Sequence, residues 1–312
     1  CKALQIYMYT SEEKEQASTD RMKHCTESYV NWQHRLADKM RLTGHRTVRS
    51  LIRECMGNMI FVAFATGVIA QTYLTEGNFG LMLDLSVGYA AAWILGVCIS
   101  GSDSISFLNP AVGLANALVG RLNFIKMLYY WVAELLGSYL GGLLVIGIYW
   151  EKIQLFAKEH DNGELRMNTT GSVLVGSVNA DLLTCFVDQL IVGTISIIGI
   201  MAALDKNNWN LPRYLVIFYG SLLQFLKYND FSVNTSASSN PALDLGPRLA
   251  LLCTGWGTNA FSYGNYAFVV FLFTPFLSAI LGTLLYELLI GIHLPGAGEP
   301  SEDGFKTPEL SS

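Results

Sequence analysis

Two copies of the tripeptide Asn-Pro-Ala are the residues whose types and spacing suggest a chemical role: Asn109-Pro110-Ala111 and Asn240-Pro241-Ala242. Asn is a favoured cap at a helix N-terminus, and Pro suits the first helical turn, where its missing N–H costs nothing. Each tripeptide therefore predicts the start of a helix. The N–H groups of the two Asn side chains can also donate hydrogen bonds to the oxygen of a small solute.

The elements around these tripeptides have the composition of a membrane protein. Hydrophobic residues make up 51% of the chain and charged residues only 14%, whereas soluble domains carry about 25% charged residues. A helix crosses a membrane with about 20 apolar residues. Six runs of that kind are present, and the fifth is the weakest because Lys227 and Asp230 lie near its end; the runs are 51–72, 80–100, 126–149, 182–204, 213–231 and 266–291.

The two tripeptides occupy matched places in an internal repeat. Each follows the second apolar run of its half and opens a stretch too short to cross the bilayer, within 102–120 and 232–252. Three spans per half force the halves into opposite orientations, as in many transport proteins. Irregular backbone at membrane depth is tolerated only where it is buried or lines a water-filled cavity. We therefore predict an all-α membrane protein with six transmembrane helices and two re-entrant half-helices in an inverted repeat.

This organisation predicts three regions. Residues 1–50 form a polar arm, 51–294 form a channel domain with halves at about 51–150 and 180–294, and 295–312 form a tail. Lys and Arg are unevenly distributed: fifteen fall on the side that carries both termini and three in the loop 150–181. Because positive charge favours the cytoplasmic side, we expect both termini in the cytoplasm, with the plasma membrane as the location. The sequon at Asn168 then lies outside and is a glycosylation candidate.

Each half also has an acid in its first span, Glu54 and Asp188. Ionisable residues inside a membrane are functional candidates by default. We expect these two to accept N–H groups from the loops that lead into the half-helices. A proton relay is the less favoured alternative, because no further acids or histidines form a chain with them. At the centre, the positive ends of two half-helices would oppose cations, while the rest of the wall is expected to be apolar.

Other classes of function find little support. The net charge of −5 gives no reason to expect a nucleic-acid partner. The six cysteines show no metal-ligand spacing. There is no nucleophile–base pair or phosphate-binding loop, so we expect neither an enzyme nor a metal or other cofactor.

The chain resembles the aquaporin (major intrinsic protein) family, and its aquaglyceroporin branch in particular, over about 51–294. The segments that carry the resemblance are Phe107–Val112, Tyr130–Glu134, Phe186–Gln189 and Asn240–Arg248. Asp244, after the second tripeptide, resembles the mark of the glycerol-conducting branch. The resemblance implies a homotetramer in the lipid bilayer, with one pore per subunit for glycerol, water and other small neutral solutes.

Three positions depart from the family pattern. Leu243 stands where members usually have an Arg that projects into the narrow outer filter. Phe107 replaces the usual His before the first tripeptide, and Glu134 replaces the usual Gln of the third span. Counted from the tripeptides, the remaining filter positions are Tyr89, Tyr228 and Ala237, which predict a more apolar outer constriction.

Lys227 lies near this predicted mouth, and we expect it to snorkel to water. The alternative is that it partly restores the charge lost at Leu243. Permeation of glycerol and similar solutes is the leading hypothesis. A junctional or structural membrane protein with a closed pore, and a channel with some ion conductance, remain as alternatives.

Overall fold

The computed structural model describes residues 2–42, 44–101 and 106–295, and the chain divides into two units, 1–49 and 50–312. Nearly all of the first unit is one long helix, α1 (Lys2–Met40). Its side chains are exposed throughout 26–40. No pattern in the sequence predicted a single helix of 39 residues here. The predicted tail beyond residue 295 and residues 102–105 of the first short stretch lie outside the described residues.

The rest of the described chain is also helical. The element order repeats, with two long helices, a short helix and another long helix in each half. In the first half these are α2 (Arg46–Tyr73), α3 (Met82–Ser100), α4 (Pro110–Leu118) and α5 (Phe124–His160). In the second half they are α6 (Leu182–Leu204), α7 (Arg213–Thr235), α8 (Pro241–Thr254), a short α9 (Asn259–Tyr266) and α10 (Phe268–Leu289).

Five helices of the described chain are long and apolar enough to cross a membrane: α2, α3, α5, α6 and α10 with its extension to His293. The sixth predicted span corresponds to α7, which has 23 residues and so a length of about 34 Å, enough for a hydrocarbon core of about 30 Å. Lys227 and other polar residues lower its hydropathy. Of these residues, Lys227 is buried, whereas Asn229 and Asp230 are exposed.

Several boundaries differ from the sequence prediction, and α2 begins at Arg46, five residues before position 51. Helix α5 continues eleven residues past position 149, into the predicted loop 150–181, because Ile153 and Phe156 pack into a core with Leu74. The same loop contains a short π-helix, Met167–Gly171. Helix α7 runs on to Thr235, with a kink at Phe231, where φ is −129° and ψ is 17°.

The packing relates the two halves by an approximate two-fold arrangement. Helix α6 packs on α10 and α3 on α7, while both short helices contact α5 and α10. Each short helix therefore lies against the last long helix of both halves. Glycines permit the closest approaches: a Cβ at Gly137 would lie 2.3 Å from the Cys55 carbonyl oxygen, and one at Gly246 would lie 2.4 Å from Ser138 Cβ. Larger side chains at these points would separate the helices that hold the site.

Candidate pore

The first tripeptide begins α4 as its sequence predicts. Asn109 is the N-cap, with extended backbone (φ −160°, ψ 117°), and its Oδ1 accepts a hydrogen bond from Ala111 N at 2.9 Å. Pro110 occupies the first helical turn. Its carbonyl accepts a hydrogen bond from Trp131 Nε1 at 3.0 Å, which ties the start of α4 to α5.

The second tripeptide begins α8 in the same way. Asn240 is the N-cap (φ −144°, ψ 106°), and its Oδ1 accepts hydrogen bonds from Ala242 N at 3.0 Å and from Leu243 N at 3.3 Å. In both helices, therefore, the Asn oxygen is used for capping. Only the N–H groups of the side chain remain for other partners.

Those N–H groups join the two half-helices. Asn109 Nδ2 donates to the carbonyl of Ser239 at 3.0 Å, and Asn240 Nδ2 donates to the carbonyl of Leu108 at 2.8 Å. Each Asn thus binds the residue just before the other Asn. Each amide has two N–H groups, so this contact leaves one on each side chain for a solute. We call this reciprocal contact the asparagine clasp.

The backbone leading into the clasp is held in an uncommon conformation. Leu108 has φ 50° and Ser239 has φ 43°, in the left-handed region that residues other than Gly rarely adopt. Such residues persist only where their surroundings hold them in place, and they concentrate at functional sites. Here both carry the carbonyl groups that accept the Asn side chains.

Buried side chains hold these loops from behind. Leu108 N donates to Glu54 Oε1 at 2.7 Å, and Asn109 N donates to Glu134 Oε1 at 3.1 Å. Both carboxyl groups are fully buried. Glu134, the departure from the family pattern in the third span, thus acts together with Glu54 on two consecutive backbone N–H groups. Its other oxygen, Oε2, has no hydrogen-bond partner.

The prediction for Asp188 is wrong, because its neighbour Gln189 contacts the second loop. Ser239 N donates to Gln189 Oε1 at 2.8 Å, and Gln189 Nε2 donates to Thr235 Oγ1 at 2.6 Å. Within the described chain, the hydrogen bond that Asp188 accepts comes from the Thr235 hydroxyl. One residue along a helix is a rotation of about 100°, which turns Gln189 towards the loop and leaves Asp188 half-buried. An amide oxygen accepts the same bond as a carboxylate and costs less to bury, so this loop needs no acid.

Three of the four predicted filter residues come together beside the clasp. The rings of Tyr89 and Tyr228 stack, with centroids 4.9 Å apart and planes at 23°. Leu243 belongs to the same apolar cluster, which also contains Leu108. The exposed fractions of Tyr89, Tyr228 and Leu243 are 3%, 5% and 7%. Ala237 is fully buried but does not belong to this cluster in the described chain.

The expectation that Lys227 reaches water is also wrong. Its side chain is only 6% exposed. The ammonium group donates to the carbonyl of Ser238 at 3.3 Å and lies 5.9 Å from the centroid of the Tyr89 ring. Among the described residues it has no carboxylate within ion-pair distance. Lys227 and Tyr228 are both buried, whereas Leu226 and Asn229 on either side are exposed, so the packing of α7 directs Lys227 inward.

A cavity of about 20 Å³ lies at the clasp, which is room for about one water molecule. Its apolar lining includes Val112 and Ile197. The polar residues that line it are Asn109, Ser196, Gln224, Lys227, Ser239 and Ser278. Ser239 Oγ is buried and has no hydrogen-bond partner. The wall here is therefore more polar than the sequence led us to expect.

Asp244, the residue that resembles the mark of the glycerol-conducting branch, is buried and does not belong to the described lining of the cavity. Its carboxylate binds Arg248 Nε at 2.5 Å and the second guanidinium nitrogen Nη2 at 3.1 Å, and it accepts Gly176 N at 2.9 Å. Arg248 also donates to the carbonyl of Ala260 at 2.6 Å. Both charged side chains are almost fully buried. The pair joins α8 to two neighbouring segments, so its contacts are structural, and Arg248 is already neutralised.

Asn168 lies apart from these groups, in the π-helix Met167–Gly171, and its side chain is exposed. Its position leaves it accessible for modification. The hydroxyl of Thr170, the third residue of the sequon, is buried and donates to the carbonyl of Arg166 at 3.0 Å.

Comparisons with known proteins identify a family, similar sequences and a similar solved structure. The profile of the family described as "Major intrinsic protein" matches residues 41–286. Human "Aquaporin-9" is 32% identical over 273 residues, covering 84% of this chain and 91% of that protein. Human "Aquaporin-10" is 31% identical over 278 residues, covering 84% and 89%. The X-ray structure of the aquaglyceroporin from Plasmodium falciparum matches with a TM-score of 0.69 and 25% identity, over 78% of this chain and 97% of that one.

The correction at Gln189 leads to a prediction about stability. Gln189→Met removes the acceptor of the buried Ser239 N–H, which we expect to lower the free energy of unfolding by about 1–3 kcal/mol. Asp188→Asn keeps an oxygen for the Thr235 hydroxyl and is the matched control, with an expected effect within about 0.5 kcal/mol. Denaturant titration in detergent, followed by tryptophan fluorescence, measures both. An equal loss in the two variants would contradict the assignment.

Proposed function

The chain belongs to the major intrinsic protein family, and from this premise we propose that solutes pass through it at the asparagine clasp. It is a membrane channel for water and small neutral solutes such as glycerol. The finer proposal concerns how the residues of this chain select those solutes. It also concerns how open the outer end of the pore is.

The observation that carries the proposal is the clasp itself. Asn109 and Asn240 each use the side-chain oxygen and one N–H on protein partners, which fixes their orientation. The remaining N–H of each can replace a hydrogen bond that a hydroxyl group loses when it leaves water. Two half-helix N-termini, each with about half a positive charge, meet at this point. Neutral oxygen-bearing solutes are accepted there, and cations are opposed.

The outer constriction is proposed to consist of Tyr89, Tyr228, Ala237 and Leu243. The stacked tyrosines and Leu243 support this, because they form a nearly closed apolar layer next to the clasp. Aromatic faces suit the carbon backbone of a polyol, whose hydroxyl groups then reach the clasp. Without an Arg at position 243, the layer lacks the usual fixed charge and donor groups.

Several features of the assembly are proposed with it. The uneven Lys and Arg distribution supports cytoplasmic termini, and the exposed side chain of Asn168 supports glycosylation on the outer face. The family resemblance supports a homotetramer in the plasma membrane. The apolar side chains exposed along the long helices, such as Val132 and Leu136 on α5, suit lipid or a neighbouring subunit.

A second candidate is a structural membrane protein with a closed pore. It is favoured by one observation: Tyr89, Tyr228 and Leu243 pack against each other and are almost inaccessible. A solute can pass this layer only if a side chain moves. Side-chain rotamer changes cost little compared with backbone movement, so the layer can act as a narrow constriction as well as a plug.

Glycerol flux decides between the two candidates. Proteoliposomes are exposed to a glycerol gradient, and their shrinkage and reswelling are followed by stopped-flow light scattering. The channel proposal predicts reswelling clearly faster than in empty vesicles of the same lipid. A rate equal to that of empty vesicles would instead support the closed pore.

The constriction assignment makes a separate prediction. Leu243→Ala shortens a side chain in the packed layer, so we expect glycerol flux per protein to rise several-fold. Leu252→Ala changes the same residue type on the outer, exposed part of α8 and should leave the flux unchanged. The same stopped-flow assay measures both variants. If Leu243→Ala behaves like the control, Leu243 does not limit permeation.

A further inference from the structure

We propose that Lys227 is the fixed positive charge of this pore and the residue that excludes cations. This inference rests on the proposed channel function and concerns the charge selectivity of the same site. In this proposal, Lys227 on α7 supplies, beside the clasp, the positive charge that the outer constriction of this chain lacks.

The burial of Lys227 is the first observation that supports this role. Lys227 is 94% removed from solvent, and an ammonium group loses a large hydration energy on leaving water unless it is paired. No carboxylate among the described residues pairs with it. Its contacts are the carbonyl of Ser238 and the face of Tyr89, which offer partial negative charge only. A lysine that served only to pack would be replaced at lower cost by an apolar side chain.

Location is the second argument. Lys227 lines the same cavity as Asn109 and Ser239, and its acceptor, Ser238, lies two residues before Asn240. The ammonium therefore lies between the tyrosine layer and the clasp. The two half-helix N-termini already make this region positive, and a full unit charge adds to their field. A cation entering the cavity meets all three sources, and little water screens them.

Other positions near the pore either carry no basic residue or carry one that is paired with a carboxylate. The position after the second tripeptide is Leu243 and has no charge. Arg248 is neutralised by the buried carboxylate of Asp244 and turned to the carbonyl of Ala260. Among the described residues that line the cavity, Lys227 is the one with a positive charge.

The same geometry explains why the charge does not exclude polyols. An ammonium group has three N–H donors, and only one bond, to Ser238, is made by the described residues. The hydroxyl of Ser239, which lines the same cavity, has no partner. A solute hydroxyl can accept from Lys227 and donate to Ser239. A cation has no means of accepting the first bond.

The test compares two substitutions of Lys227 with one control, in the same proteoliposome preparation. Glycerol flux is measured by stopped-flow light scattering and sodium flux by an entrapped sodium-sensitive dye. Lys227→Met removes the charge, Lys227→Arg keeps it, and Lys126→Met removes an exposed lysine from the start of α5. We expect sodium flux to rise about tenfold or more in Lys227→Met alone, with glycerol flux retained.

The outcomes separate the proposals. Glycerol-permeable Lys227→Met vesicles as tight to sodium as wild type would overturn the charge assignment and leave the channel function intact. A leak of equal size in Lys227→Arg would also overturn it, because geometry rather than charge would then control sodium. If Lys227→Met fails to fold, Lys227→Gln, neutral but able to donate to Ser238, is read in the same way. Wild-type vesicles without glycerol flux would refute the channel function and this inference together.

Discussion

The asparagine clasp is the interaction on which the rest of the structure depends. Backbone that stops being helical at the centre of a membrane must satisfy its N–H and carbonyl groups within the protein. The clasp uses the carbonyls of Leu108 and Ser239 as acceptors for the opposite Asn side chains. Glu54, Glu134 and Gln189 take the N–H groups. The N-termini of the two half-helices can therefore face each other without water. Each Asn side chain keeps one N–H group for a solute.

The backbone N–H groups of the two loops are accepted by side chains of different charge. The first loop is held by two buried carboxyl groups, whereas the second is held by the neutral amide of Gln189. In the proposed pore, Leu243 lies in the outer layer and the positive charge of Lys227 lies close to the clasp. Helix α7 carries both Tyr228 of the proposed outer constriction and Lys227 beside the clasp. The fold thus permits a positive charge near the clasp when the constriction has none. Under the role proposed for Lys227, charge selectivity depends on the central region more than on the outer constriction.

Much of this arrangement was predictable from the sequence, and the failures have physical reasons. Paired caps and apolar runs indicated the half-helices and long helices, because capping and membrane length leave direct patterns. The contact from Glu54 to the first loop is also the kind expected of a buried acid. The prediction for Asp188 failed because Gln189, one residue and about 100° further round α6, is the residue that faces the loop. The prediction that Lys227 reaches water failed because a long amphipathic side chain can reach either water or the interior. The packing of α7 decides between the two.

The most direct test of the clasp is the glycerol permeability of the Asn240→Asp variant. Asp keeps the oxygen that caps α8 for Ala242 and Leu243, and it has nearly the same shape, so the helix start is preserved. It lacks the N–H groups that bind Leu108 and a passing hydroxyl group. The account predicts permeability close to that of empty vesicles, with folded protein present in the membrane. Permeability equal to wild type would contradict it.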